Sequence, residues 1–252
     1  MLSELIPLTM GELALSIIII FIAYMVKGLS GFGSGLVAIP LLAFFLPITL
    51  IVPVLGLVSY SGTVVQSLSF RKDVVWKDLL PLIPFSLAGI VIALWLLINV
   101  NITVLTFILG VFIFCYSVYS LLPREVTMGT RWWAIIAGSF AGLVGTLFGT
   151  GGPFYVLYLK MRCVNKKQFR AMITMIFLFD GGARMTGYFA SGLFTTKMLW
   201  LVLILLPVLF LAMYVGHHLH VKINEHRFNQ IVSILLLISG LSLAIKSIYL
   251  MV

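Results

Sequence analysis

Asp180 and Arg184 are the residues whose placement in this chain most invites chemistry. They stand four apart inside the apolar run 171–190. Counting from Arg170 at about 1.5 Å per residue puts Asp180 about 15 Å in, with Arg184 one turn further. If the run crosses a bilayer, Asp180 lies near the midplane and Arg184 one turn further out, at depths where ionisable groups are costly and mark function by default. Their i,i+4 spacing sets them on one helix face. Two uses are open. The pair can be structural, each charge neutralising the other. Alternatively Arg184 attracts an anion while Asp180 tunes it or carries a proton.

A second chemistry lies in the backbone. Gly28-Leu29-Ser30-Gly31-Phe32-Gly33-Ser34-Gly35 interrupts one apolar run, and Thr146-Leu147-Phe148-Gly149-Thr150-Gly151-Gly152-Pro153 interrupts another. Glycine costs about 1 kcal/mol against alanine in a helix, so such clusters break one. Freed N–H and C=O groups find no partner in hydrocarbon, so each break must be buried in protein or line a wet cavity. A half-helix starting near Gly35 and another near Phe154 would each aim an N-terminus at its break. Such a terminus carries roughly +0.5 charge and unpaired donors, which suits an oxyanion. Ser30, Gly31, Gly33, Ser34 and Gly35 on one side, and Gly149, Thr150, Gly151 and Gly152 on the other, are the candidate substrate contacts. The plain alternative is that small residues only let helices pack closely. Lys27, just before the first break, either adds positive potential or snorkels to an interface. Gln66, with Tyr60, Ser61 and Ser67, gives the run 48–70 a polar stripe.

The surrounding chain is that of an all-α polytopic membrane protein. Its 252 residues are 62% hydrophobic and 9% charged, with a mean hydropathy of +1.20, a balance no soluble domain shows. The net charge of +9 is not a nucleic-acid signal, because the basic residues sit in short loops between apolar runs. Cys115 and Cys163 fit neither a disulfide framework nor a metal site. His217, His218, His220 and His226 lack a completing ligand set, so no metal and no cofactor is expected. Trp76, Trp132, Trp133 and Trp200 fall near run ends, as interfacial anchors do.

The runs divide into two halves. Residues 1–123 hold a broken hairpin, 8–47, and spans 48–70, 79–98 and 102–122. Residues 131–252 hold a broken hairpin, 132–160, and spans 171–190, 198–217 and 228–250. The pieces 36–46 and 154–160 are too short to cross. Segments 71–77, 124–131, 160–170 and 222–227 carry twelve of the sixteen Lys and Arg. Placing all four inside leaves both termini outside and makes 132–160 turn back within the membrane. The halves then have opposite orientation: two inverted repeats, each a re-entrant hairpin plus three transmembrane helices. That arrangement places a site at the midplane. A rival count of simple spans puts 124–131 and 160–170 on opposite sides, against the charge bias. An offset of 118 pairs Gly31 with Gly149, Gly33 with Gly151 and Gln66 with Arg184.

GLSGFGSGLVAIPLL, recurring as GLVGTLFGTGGPFYVLYL, resembles the sulfite exporter TauE/SafE family of membrane transporters. FRKDVVW and GHHLHVKINEHRF extend the resemblance over nearly the whole chain. Ser34 and Pro153 stand where the family often has glycine. The resemblance implies a small sulfur-containing or organic anion, such as a sulfite or sulfonate, moved across the cytoplasmic membrane. The expected function is therefore secondary active transport, with a passive anion channel as the alternative. No GxxxxGK[ST], HExxH or GxSxG occurs, so neither an ATP-driven pump nor an enzyme is expected. The expected partners are the anion and the bilayer, and a homodimer is left open.

Overall fold

Apolar runs of this length fold as helices because hydrocarbon offers no partner for backbone polar groups. The computed structural model describes residues 10–30, 33–70, 73–121, 129–162, 165–218, 237–238 and 240–249; among these there is no strand. The first half runs α1 (Met10–Ser30), α2 (Ser34–Leu42), α3 (Ile48–Phe70), α4 (Trp76–Leu79), α5 (Leu82–Asn99) and α6 (Ile102–Leu121). The second runs α7 (Trp133–Phe148), α8 (Gly152–Arg162), α9 (Lys166–Ala190) and α10 (Thr196–His218), followed by α11 (240–249). The expected span 228–250 lies largely outside the described residues.

Among the described residues, five stretches are long and apolar enough to cross a membrane: Gly11–Gly28, Ile48–Leu68, Trp76–Asn99, Ile102–Tyr119 and Thr196–Gly216. The first was expected as one arm of a re-entrant hairpin, yet it has crossing length by itself. The hairpin arms are therefore unequal, 21 residues in α1 against 9 in α2. With 25 residues, α9 also has the length. Its Lys166, Lys167, Arg170, Asp180 and Arg184 keep it from the same apolarity.

The chain breaks where the glycines require it, with one correction. The first cluster was expected to break from Gly28, but α1 continues to Ser30. Gly28 instead lets α10 come close: a Cβ there would stand 2.7 Å from the Met213 carbonyl oxygen. The breaks turn at Gly33 and Gly149, whose φ values of +94° and +63° are left-handed and open to glycine at little cost. Gly149 caps α7 in that conformation, its N–H bonded to Gly145. Pro153 then sits in the first turn of α8, where a missing N–H costs no hydrogen bond. Downstream, Asn165 caps α9 by accepting from the Gln168 N–H at 2.8 Å.

Three helix boundaries recur at the spacing of 118. Helix α1 ends at 30 and α7 at 148; α2 starts at 34 and α8 at 152; α3 starts at 48 and α9 at 166. Packing follows the same exchange. The hairpin helix α7 lies on α5, and its counterpart α1 lies on α10; between them α3 packs on α9. The α5–α7 seam is close enough that a Cβ on Gly142 would overlap the Ser86 carbonyl oxygen.

At the basic ends the halves are tied by Asp78. Its Oδ1 accepts from Arg131 Nε at 3.0 Å and from Arg162 Nε and Nη2 at 3.1 and 2.7 Å. Tyr158 donates to the Asp78 carbonyl at 3.0 Å, and Arg162 Nη1 to that of Gly129 at 3.0 Å. Arg162 is the more enclosed arginine, with its side chain 23% exposed against 54% for Arg131. Melting of purified protein in detergent should rank the two. Arg162→Ala is expected to cost about 1.5–3 kcal/mol, the worth of hydrogen bonds to a charge. Arg131→Ala is expected to cost under about 1 kcal/mol, as exposed pairs do.

Candidate functional site

The two breaks meet. Gly35 lies directly on the Gly149 carbonyl, so close that a Cβ on Gly35 would overlap that oxygen, and Ile39 of α2 packs against Gly149. Beside this contact is a cavity of about 80 Å³. That is room for about five waters, the scale of a small oxyanion. The first break gives Gly33, Ser34 and Gly35 to its wall, and the second gives Gly149, Thr150, Gly151 and Gly152. From α1 comes Lys27, from α3 Ser59, Tyr60 and Thr63, and from α9 Asp180 and Arg184. Helices α2 and α8 both begin at this wall, so their first N–H groups gather there.

Arg184 is held from one side only. Its Nη2 donates to Asp180 Oδ2 across the i,i+4 turn. Room for the guanidinium comes from Gly145 on α7, where a Cβ would stand 2.7 Å from Nη2. The other Asp180 oxygen accepts from Ser86 Oγ at 2.7 Å and Tyr155 OH at 2.8 Å; those two hydroxyls are also 2.8 Å apart. Asp180 is thus fixed by α5, α8 and α9 together. By contrast Arg184 Nε, Thr150 Oγ1 and Thr146 Oγ1 are buried with no hydrogen-bond partner. Each such orphan costs about 1–3 kcal/mol, and native proteins rarely keep them without a reason. Arg184 and Thr150 both line the cavity.

Also in the lining, Lys27 donates from Nζ to the Ser59 carbonyl at 2.7 Å and to Thr63 Oγ1 at 3.2 Å. Ser59 Oγ stands 3.4 Å from Ser34 Oγ and 3.1 Å from Tyr24 OH. Counted as an ammonium, Lys27 joins Arg184 against the single described carboxylate of the wall, Asp180. Lys27 therefore turns inward, away from an interfacial position.

Gln66 does not reach the cavity. It sits half-buried about one turn of α3 beyond Thr63, although its 118-spaced counterpart Arg184 lines the wall. Gly31 and the Ser30 side chain lie outside the described residues. Ser61 and Ser67 bond their own helix, at Leu57 and Val64. Ser59, Thr63, Ser86 and Tyr155 went unmarked in the sequence. Tyr60 packs against Gly181 and Gly182, and that glycine pair beside Asp180 was the available signal for a side chain entering there. Among the described residues no three His, Cys, Asp or Glu gather as metal ligands.

The wall predicts opposite effects for two conservative changes, read as melting of the ligand-free protein. Thr150→Val removes a hydroxyl with no bond to lose, so it should leave stability equal or higher. Tyr155→Phe leaves Asp180 short of a donor and should cost about 1–3 kcal/mol.

The profile of the family described as "Sulfite exporter TauE/SafE" matches residues 16–243. A relative in Comamonas testosteroni, "Probable inner membrane transporter protein TsaS", is 28% identical over 183 residues, covering 70% of this chain and 74% of its own. No solved structure matches.

Proposed function

The chain belongs to the sulfite exporter TauE/SafE family of membrane transporters, and on that premise we propose that it is a secondary active carrier of small sulfur oxyanions. The observation that carries this reading is the pair of buried, unbonded donors, Arg184 Nε and Thr150 Oγ1, beside two converging helix N-termini. A sulfite or sulfonate offers three acceptor oxygens to such donors. Helix termini, the guanidinium and hydroxyls are the groups that recognise anions at membrane midplanes. In this reading Ser34, Gly35, Thr150, Gly151, Gly152 and Arg184 hold the oxyanion. Asp180, Ser86 and Tyr155 set the orientation of Arg184. The "inner membrane" in the name of the relative supports a cytoplasmic-membrane location for this chain too.

The recurrence of helix boundaries at 118, and packing that exchanges α1–α10 with α5–α7, support two structurally repeated halves, 1–123 and 131–252. The basic loops support opposite orientation of those halves, with both termini outside. Alternating access then follows from one half moving against the other about a fixed central site.

Two measurements test this function. Purified protein titrated with sulfite, thiosulfate, sulfoacetate and taurine should gain thermal stability with at least one, because a ligand bound only to the native state must stabilise it. Simple carboxylates should have less effect. In vesicles, Arg184→Gln should lower uptake of the stabilising anion by about tenfold or more, the loss of one charged hydrogen bond. Its level in the membrane should stay normal. Unchanged transport by Arg184→Gln contradicts the role given to Arg184. Uptake that substrate preloaded inside the vesicles does not accelerate by exchange would favour a channel.

A further inference from the structure

Taking the cavity as an anion site, we infer that Lys27 sets the valence of what it accepts: one negative charge and not two. Lys27 is 4% exposed, and the groups that hold its Nζ, the Ser59 carbonyl and Thr63 Oγ1, are neutral acceptors. No described carboxylate pairs with it; the ion pairs among the described residues are Arg131–Asp78, Arg162–Asp78 and Arg184–Asp180. Asp180 is the one described carboxylate in the wall, and Arg184, Ser86 and Tyr155 already occupy it. As an ammonium, Lys27 is the cavity charge without a countercharge.

The 118 spacing explains how this imbalance arises. Position 27 corresponds to Gly145, and Gln66 to Arg184. Each half thus contributes one cation, but from opposite members of the corresponding positions. Only the second half brings a carboxylate, because Asp180 corresponds to Gly62 in the first. An isolated buried charge is costly, and a partner of opposite sign relieves that cost. A monoanion supplies the missing charge and leaves the wall neutral. A dianion overshoots, and its second charge draws Arg184 away from its pair with Asp180.

Methanesulfonate and sulfate are matched probes, both tetrahedral, differing by a methyl in place of a charged oxygen. In melting titrations of the full chain in detergent, methanesulfonate should bind at least about tenfold more tightly than sulfate. Lys27→Gln should weaken methanesulfonate by about tenfold or more, and Lys27→Arg should keep the preference. Sulfate binding as tightly as methanesulfonate overturns the inference, and so does undiminished methanesulfonate affinity in Lys27→Gln. If Lys27→Gln does not fold, the wild-type and Lys27→Arg preferences decide. If neither anion shifts melting while carboxylates do, the sulfur-oxyanion reading fails along with the valence rule.

Discussion

Backbone amides released from a helix cannot be left facing hydrocarbon, and this molecule is arranged around meeting that constraint twice in one place. Gly33 and Gly149 turn the chain through left-handed conformations. Gly35 then lies against the Gly149 carbonyl, so each break shelters the other. The contact needs glycine on both sides. Once the breaks are joined, α2 and α8 start from the same wall, and their donors converge on one small volume. The longer helices serve this junction: α3 and α9 pack together across it, while α5 and α10 hold the hairpin arms α7 and α1.

Charge is distributed by the same geometry. A helix as polar as α9 is tolerated because its polar face turns to the junction. Asp180 and Arg184 are both buried there. Three elements hold Asp180, so it is a fixed negative reference, and Arg184 keeps one nitrogen uncommitted. Orphaned donors of this kind cost stability, and departures from local satisfaction gather at functional sites.

Much of this was legible in the sequence, and the reasons it was not complete are physical. Helices α3 and α6 fall close to their expected bounds, because long apolar runs between turn residues and charges leave little alternative in a membrane. The breaks and the Asp180–Arg184 pair were legible because glycine clusters and midplane charges are expensive. Gly28 was misplaced since a glycine that permits close helix contact and one that ends a helix look alike in sequence; only the approach of Met213 separates them. Gln66 was singled out through its repeat partner, but repeat equivalence fixes a position on a helix, not which side chains reach a cavity. Ser59, Thr63, Ser86 and Tyr155 carried no signal. Hydroxyls in membrane helices usually bond their own backbone, as Ser61 and Ser67 do, so type alone does not separate the two cases.

As proposed, a single oxyanion sits where the two breaks meet. Diffraction at the bromine edge from crystals grown with bromomethanesulfonate tests it most directly. One anomalous peak is expected in the cavity between the Gly33–Gly35 and Gly149–Gly152 turns, with the sulfonate within hydrogen-bonding reach of Thr150 and Arg184. A peak elsewhere on the protein, or continuous helix through both turns with no space between them, would contradict it.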